Sequence, residues 1–320
     1  MSFKVKQAWR HLDHHLHHRL QTNAFQPDDR YLLCVSGGPD SLAMLVNFQR
    51  VLADSQLVIF HFHHGTNKNR EFRDRAEHLV CSVGKRLKLP VFVKRRDGSA
   101  KLSDDEASLR ASRYAAAREV AHAEGCGAIV TAHHSQDLLE TRFLRLLRGT
   151  GPQGLPSIRS RSGLFFRPYL DVSPGELHAA LDAEMGVEAG LQDPTNFEST
   201  PLRNWLRNEL WPRLEAKRPG SLANLAKSLA RLSSERRPSP VSAQNPFYFH
   251  RYQAFTEVQK FEKIAKIYLR FRRDGFHQGH LKEVKKRLDI PKISHSFSVG
   301  GLVWKVNAGQ VKVELTQSRR

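Results

Sequence analysis

The sequence predicts an α/β fold built on a doubly wound parallel sheet, followed by a helical linker and a small basic α+β domain. Through the first half, short apolar segments alternate with amphipathic helical ones, which is typical of parallel strands joined by crossover helices. The last quarter interleaves basic and apolar residues and ends in a hairpin-like alternation, after a Pro- and Ser-rich stretch at 233–246. We therefore expect a first domain over residues 1–215, a linker over 216–246 and a C-terminal domain over 247–320.

The elements of the first domain can be placed in order. A helix spans about 3–20, and the apolar strand Tyr31–Cys34 leads through a Ser-Gly-Gly turn into a second helix. Ligands of such sheets lie beyond the carboxyl ends of the strands, which selects the segments 36–41, 61–65 and 133–140. Further strands are expected over 56–62, 90–94, 129–132 and 165–170, and further helices over 71–88, 104–124, 135–148 and from 174 onward.

Composition narrows the function classes. The 320 residues are 40% hydrophobic and 26% charged, as in soluble globular proteins, and no apolar run reaches membrane-spanning length. The formal net charge of +19 favours a polyanionic partner, nucleic acid before a membrane surface. The three cysteines form no Cys-x-x-Cys pair and there is no signal-peptide core, so we expect reduced thiols in a cytoplasmic protein with no membrane attachment.

The N-terminal helix is rich in histidine, and two interpretations remain open. The residues could form a metal site, or they could lie on a solvated helix face. We favour the second, because no set of cysteines or carboxylates accompanies them. The histidines are His11, His14, His15, His17 and His18.

The turn after the first strand has the chemistry of a phosphate site. Its glycines can adopt positive φ and let an anion approach the backbone, while the following proline and acidic residue suit a helix start. Unpartnered N–H groups and the positive end of the helix dipole then face one point. A simple tight turn is the alternative. The expected phosphate-binding residues are Ser36, Gly37, Gly38, Pro39, Asp40 and Ser41.

The segment after the fourth strand contributes two carboxylates. Asp137 and Glu140 are three residues apart on one helix and therefore share a face near the strand ends. They could hold Mg²⁺ or a cationic substrate, although compensation of the helix dipole is the usual role of such a pair. Next to a phosphate loop, we favour a binding site.

Arginines suited to phosphate recognition occur on two helices. Arg113 could clamp a nucleotide phosphate bidentately, whereas its neighbour Arg110 could instead pair with Glu106 at i,i+4. Arg203 and Arg207 lie on one side of a later helix, where they could contact RNA phosphates or the nucleotide itself, or simply solubilise the surface.

The loop string resembles the pyrophosphate-binding loop of the ATP pyrophosphatase (PP-loop) family. Over about residues 30–215, the ordered set of motifs resembles the tRNA(Ile)-lysidine synthetase family within it. The set comprises Ser36–Ser41, His61-x-x-His64-Gly65, Arg113-Tyr114, Ala132–Thr141, Leu147-Arg148-Gly149, Arg167–Leu170, Asp193–Asn196 and Arg203-Asn204-x-x-Arg207.

The resemblance implies an adenine nucleotide alpha hydrolase-like fold that uses ATP and Mg²⁺. It implies transfer of free L-lysine to C2 of cytidine at the wobble position of tRNA(Ile) with a CAU anticodon. The implied residues are Asp40, Arg113, Asp137 and Glu140 for catalysis, with Asp40 also at the metal; Ser36–Ser41, His61 and His133 for the nucleotide; and Arg203 and Arg207 for the tRNA.

Two departures and two alternatives qualify this interpretation. The family commonly has Asp-Asp-Gln where this chain has Gln136-Asp137-Leu138, so one carboxylate is absent. It usually has Leu-Arg after His-Gly where this chain has Thr66-Asn67, so one basic contact is absent as well. Another PP-loop enzyme, such as a tRNA thiolase, would typically need paired cysteines. A non-catalytic RNA-binding protein would not need an intact nucleotide loop.

Overall fold

The computed structural model describes residues 3–65, 69–96, 106–150, 154–155, 158–186, 190–194, 202–234, 245–271, 276–290, 294–307 and 309–316. The strands are β1 (Arg30–Cys34), β2 (Leu57–His63), β3 (Val91–Arg95), β4 (Cys126–Val130), β5 (Arg161–Ser162), β6 (Phe165–Phe166), β7 (Phe247–Tyr248), β8 (His295–Val299), β9 (Leu302–Asn307) and β10 (Gln310–Leu315). The helices are α1 (Phe3–Thr22), α2 (Pro39–Val51), α3 (Arg70–Leu87), α4 (Glu106–Ala123), α5 (Ser135–Leu147), α6 (Pro174–Met185), α7 (Leu202–Trp205), α8 (Trp211–Lys217), α9 (Ser221–Ser234), α10 (Phe249–Gln253), α11 (Glu257–Arg270) and α12 (Gln278–Leu288).

The chain divides into two compact units. The first contains Met1–Glu140 and Ile158–Lys217, and the second contains Thr141–Ser157 and Arg218–Arg320. Residues 235–244, which form most of the expected Pro- and Ser-rich stretch, lie outside the described residues. The domain boundaries drawn from the sequence therefore stay a prediction.

The first unit contains the predicted doubly wound sheet, in the order β3-β2-β1-β4-β6-β5. All neighbouring strands are parallel except β5 and β6. From β1 the chain winds outward through β2 to β3 and then crosses back to β4 on the other side of β1. The point where the strand order reverses therefore lies between β1 and β4. Ligands of doubly wound sheets bind in the crevice outside this point.

Side chains of the central strands alternate between two apolar layers, as the period of two requires. Leu33 of β1 packs in the layer with α1, α2, α3 and α6, whereas its neighbour Leu32 packs in the layer with α4. Both residues are fully buried. Helices on both faces thus hold the strand ends in fixed positions.

The strand expected over 165–170 is wrong beyond Phe166. The backbone turns at 168–171, where Pro168 has no N–H for a ladder and Val172 donates to the Tyr169 carbonyl at 2.9 Å. Tyr169 and Leu170 are buried all the same. The apolar run was therefore a sign of burial and not of strand length.

The histidine-rich helix α1 packs on the sheet through Trp9, Leu12 and Leu16. Two of its histidines contact neighbouring elements of the first unit, whereas His14, His17 and His18 are exposed. His11 Nδ1 lies 3.1 Å from Glu176 Oε1, and His15 Nε2 donates to the Pro168 carbonyl at 2.9 Å.

The second unit contains an antiparallel sheet in the order β7-β10-β9-β8. The predicted alternation at 300–315 is the hairpin of β9 and β10, which pair from Leu302 opposite Leu315 to Asn307 opposite Gln310. Tyr268 of α11 and Trp304 of β9 are fully buried in its core. Within the described ranges, the helices are all too short or too polar to cross a membrane.

Candidate active site

The loop between β1 and α2 is closed by its two serines. Ser41 Oγ accepts from the Ser36 N–H at 3.1 Å and donates to the Gly38 carbonyl at 2.8 Å. Gly37 has φ +89°, a conformation that favours glycine, and no side chain caps the start of α2 at Gly38. The N–H groups of the first turn therefore remain available for an anionic ligand.

A second segment packs against this loop. The Leu191 N–H donates to the Gly37 carbonyl at 2.9 Å. A Cβ on Gly190, whose φ is +109°, would lie 2.8 Å from the Pro39 nitrogen. The close approach of these two backbones therefore requires glycine at position 190.

Asp40 is held by histidines from two other elements. His178 Nε2, on α6, lies 2.8 Å from Asp40 Oδ1, and His134 Nε2 lies 3.7 Å from the same oxygen. The hydrogen bond to Asp40 raises the pKa of His178. Asp40 is 38% exposed, so one side of its carboxylate is open to a ligand.

Buried His134 connects the loop with the carboxylates of α5. Its Nε2 lies 3.6 Å from Asp137 Oδ2, and its backbone N–H donates to that oxygen at 3.0 Å. Burial works to raise the pKa of Asp137, but His134, His133, this N–H and Arg207 together lower it. Asp137 is therefore ionised, and the His134 side chain lies between it and Asp40.

Asp137 and Glu140 share a helix face, as expected, and both contact arginines of the protein. Arg207 Nη2 lies 2.9 Å from Glu140 Oε2 and 3.3 Å from Asp137 Oδ1, and Arg203 Nε lies 3.3 Å from Glu140 Oε2. A π-helical turn at Leu206–Leu210 separates α7 from α8 and carries Arg207. Such turns are frequent at functional sites.

Glu140 is fully buried, and burial raises its pKa even though Arg207 opposes the shift. The charges of Arg203 and Arg207 are thus compensated within the protein. Their role as tRNA contacts remains a prediction, and a phosphate would have to compete with Glu140 for them.

In both histidines predicted to contact the nucleotide, Nδ1 is hydrogen-bonded within the protein. His61 Nδ1 donates to the Val35 carbonyl at 2.8 Å, and His133 Nδ1 lies 2.9 Å from Thr131 Oγ1. Burial lowers the pKa of both rings, so both are neutral near pH 7. Among the described residues, neither Nε2 has a hydrogen-bond partner, and the nucleotide contact itself stays a prediction.

Arg113 stacks on Tyr114, with its guanidinium carbon 5.6 Å from the ring centroid. Burial first, and then the charge of Arg113, lowers the pKa of His64, which follows β2. Arg113 is therefore close to the loop side of the crevice, as a phosphate contact requires. The side chain of Glu106, the alternative partner of Arg110, lies outside the described residues.

Sequence reasoning missed His178 and gave His134 no role. No spacing rule connects Asp40 with a helix 138 residues away. His134 could have been found, because it immediately precedes the helix that carries Asp137 and follows a buried strand.

The described residues contain no group of three or more histidine, cysteine or acidic side chains that could hold a metal ion. Mg²⁺ does not require one, since it binds through one or two carboxylates, substrate phosphates and water. Partly exposed Asp40, at the edge of a phosphate loop, fits that requirement.

Comparisons with known proteins agree with this geometry. Residues 8–214 match the family model of the PP-loop domain. In fold, the chain resembles the U34-tRNA thiolase of Methanococcus maripaludis, with a TM-score of 0.57 and 14% identity, over 72% of this chain and 81% of that one.

Curated relatives named tRNA(Ile)-lysidine synthase include one from Bdellovibrio bacteriovorus, 35% identical over 97% of this chain and 99% of the relative. Another, from Geobacter sulfurreducens, is 35% identical over 66% of this chain and 45% of the relative. The chain thus spans nearly all of the first and about half of the second. On these matches and on its loop, the chain belongs to the tRNA(Ile)-lysidine synthase family of PP-loop proteins.

Proposed function

We propose that this protein is an ATP-dependent ligase that joins lysine to C2 of the wobble cytidine in tRNA(Ile) with a CAU anticodon, forming lysidine. One observation carries the proposal: an anion-binding loop and a carboxylate pair meet at the switch point of the sheet, connected through His134. The loop suits ATP phosphates, and the carboxylates suit a cationic amine.

The reaction has two steps. The C2 oxygen of cytidine attacks the α-phosphorus of ATP, and pyrophosphate leaves. The ε-amine of lysine, after loss of a proton from its ammonium, then forms the C2–N bond while the C2–O bond breaks and AMP leaves with the electron pair. Residues 36–41 hold the phosphates, and Arg113 neutralises the charge that develops at the α-phosphate. Mg²⁺, held by Asp40 together with the phosphates, would add further charge neutralisation.

Asp137 and Glu140 have different roles in lysine binding. Asp137 is 18% exposed and can contact the lysine ammonium directly, whereas Glu140 has no exposure. Glu140 therefore acts through Arg207, which it holds beside Asp137. This arrangement places an amine next to the loop without a second exposed carboxylate, which suits a chain with Gln136 and Leu138 at the flanking positions.

The cysteines give no support to a tRNA thiolase. Cys34 and Cys126 lie at opposite ends of their strands, β1 and β4, and Cys81 lies on α3. Burial raises the pKa of Cys34 to about 12, so its thiol is protonated at neutral pH. Sulfur transfer needs a thiolate. The resemblance to the solved thiolase concerns the fold alone.

The test is incorporation of labelled lysine into a tRNA(Ile) transcript with a CAU anticodon, with ATP and Mg²⁺. We expect lysine incorporation accompanied by AMP and pyrophosphate. A transcript with a GAU anticodon serves as the control. Absence of incorporation, together with sulfur transfer or with RNA binding alone, would reject the proposal.

A further inference from the structure

Three arginines of the first unit are held by one pair of aromatic rings. The guanidinium carbon of Arg110 lies 4.7 Å from the Tyr114 centroid, Arg113 lies over the same ring, and Arg167 lies 5.7 Å from the Phe165 centroid. The two rings are 4.4 Å apart. We call Arg110, Arg113 and Arg167 the arginine cluster.

The arginine cluster has no carboxylate partner within ion-pair distance in the described part of the chain. Arg167 is only 7% exposed; its Nη1 donates to the Arg159 carbonyl at 3.1 Å, and its Nε has no partner. Arg203 and Arg207 differ in this respect, since Glu140 compensates both. A buried guanidinium without a counterion is costly, and a bound anion removes that cost.

The pKa values of neighbouring groups reflect the positive charge of the arginine cluster. Burial, followed by repulsion from Arg113, Arg167 and Arg203, lowers the pKa of Arg110. Burial and the three members of the cluster also lower the pKa of His133, against the attraction of Asp137. The cluster thus faces the segment after β4.

A phosphate group is the anion that this arrangement fits. Guanidinium groups bind phosphate oxygens bidentately, and stacking on a ring fixes their planes in advance. The phosphates of ATP already have the loop at 36–41. Arg110 lies over the same ring as Arg113, and Arg167 lies over the adjoining ring. Because Arg113 is assigned to the α-phosphate of ATP, Arg110 and Arg167 are left for a second phosphate, on the acceptor nucleotide that reacts at that α-phosphate.

We propose that Arg110 and Arg167 bind a backbone phosphate of the RNA substrate adjacent to the target cytidine, at a subsite separate from that of the ATP phosphates. The proposal rests on the proposed function, which supplies an RNA acceptor. A phosphodiester flanks the reacting cytidine on each side, and fixing one of them would orient the base towards the α-phosphate of ATP.

The first experiment compares RNA binding with ATP use in the full-length protein. We expect Arg110→Gln and Arg167→Gln each to weaken binding of the tRNA(Ile) transcript roughly tenfold without ATP, and to reduce the salt dependence by about one phosphate contact. The KM for ATP should stay within about twofold of wild type. Arg118→Gln is the matched control, because exposed Arg118 stacks on the same Phe165 ring at 5.0 Å. Arg167→Lys, with its charge retained, should recover part of the binding.

The second experiment removes the charge from the RNA instead. A methylphosphonate 5′ or 3′ of the target cytidine, in an anticodon stem-loop, should weaken wild-type binding at one of the two positions. The same methylphosphonate should have little further effect on RNA binding by Arg167→Gln. Additive effects at both positions, or a raised KM for ATP with unchanged RNA binding, would overturn the proposal. Failure of the proposed function is separate, because wild type itself would then incorporate no lysine.

Discussion

Arg207 donates two hydrogen bonds to Glu140, from Nε to Oε1 at 3.0 Å and from Nη2 to Oε2 at 2.9 Å. The Glu140 side chain has no solvent exposure, so its charge depends on Arg207 and on Arg203, whose Nε lies 3.3 Å from Oε2. Removing Arg207 takes away both of its hydrogen bonds and leaves a buried carboxylate only partly compensated. We therefore expect Arg207→Gln to lower the free energy of unfolding of the first unit by about 3 kcal/mol.

Chemical denaturation of the full-length protein measures this change. Arg213→Gln is the control, because Arg213 is 79% exposed and forms a 3.5 Å pair with Glu209. Such surface pairs contribute at most about 1 kcal/mol. Equal losses in the two variants would show that Glu140 does not depend on Arg207.

A buried polar network joins α1, α2 and the segment after β6. The Tyr169 hydroxyl donates to Asn47 Oδ1 at 2.9 Å, and Asn47 Nδ2 donates to Asp13 Oδ1 at 2.8 Å. Tyr169→Phe leaves the Asn47 carbonyl without a donor, so we expect a loss of about 1–3 kcal/mol in the free energy of unfolding. Tyr114→Phe is the matched control, because the Tyr114 hydroxyl has no partner in the described structure. A loss in the control as large as that in Tyr169→Phe would contradict this account.

The carboxylate of Asp40 connects the phosphate loop to His178 and His134. We expect Asp40→Ala to reduce tRNA-dependent AMP formation by at least about a hundredfold, because it removes the carboxylate that would hold Mg²⁺ at the phosphates and that contacts His178 at 2.8 Å. The control is Asp171→Ala, which removes an exposed carboxylate whose partner is His15. Equal rates of AMP formation in Asp40→Ala and wild type would remove Asp40 from the site.

Much of the first unit follows from local sequence. The glycine turn at Gly37 and the apolar run Tyr31–Cys34 are local signals, and both predicted the structure. The i,i+3 spacing likewise placed Asp137 and Glu140 on one face, as observed.

Long-range pairings could not be predicted in this way. His178 meets Asp40 only because α6 packs on α2, and the spacing of Arg203 and Arg207 does not show that Glu140 lies between them. The strand predicted up to Leu170 failed for a related reason, since a buried apolar turn and a buried strand have the same composition.

His64 gives the first unit a specific pH dependence. Burial, with repulsion from Arg113 and Arg73, lowers its pKa from 6.5 to about 4. Between these values the unfolded chain binds more protons than the native one, so stability rises with pH. The contribution is therefore complete above pH 6.5 and is lost as the pH falls towards 4. We expect His64 to account for a decline of up to about 3 kcal/mol across that window.

Unfolding free energies measured between pH 4 and 7 test this prediction. His64→Gln should flatten part of the decline, whereas His14→Gln, at an exposed position of α1, should keep the wild-type slope. Some decline will remain in His64→Gln, because burial also lowers the pKa of His61 and His133. Parallel curves for wild type and His64→Gln would show that the arginines do not hold His64 neutral. Bound ATP should reduce the decline in wild type, because its phosphates offset the charge of Arg113.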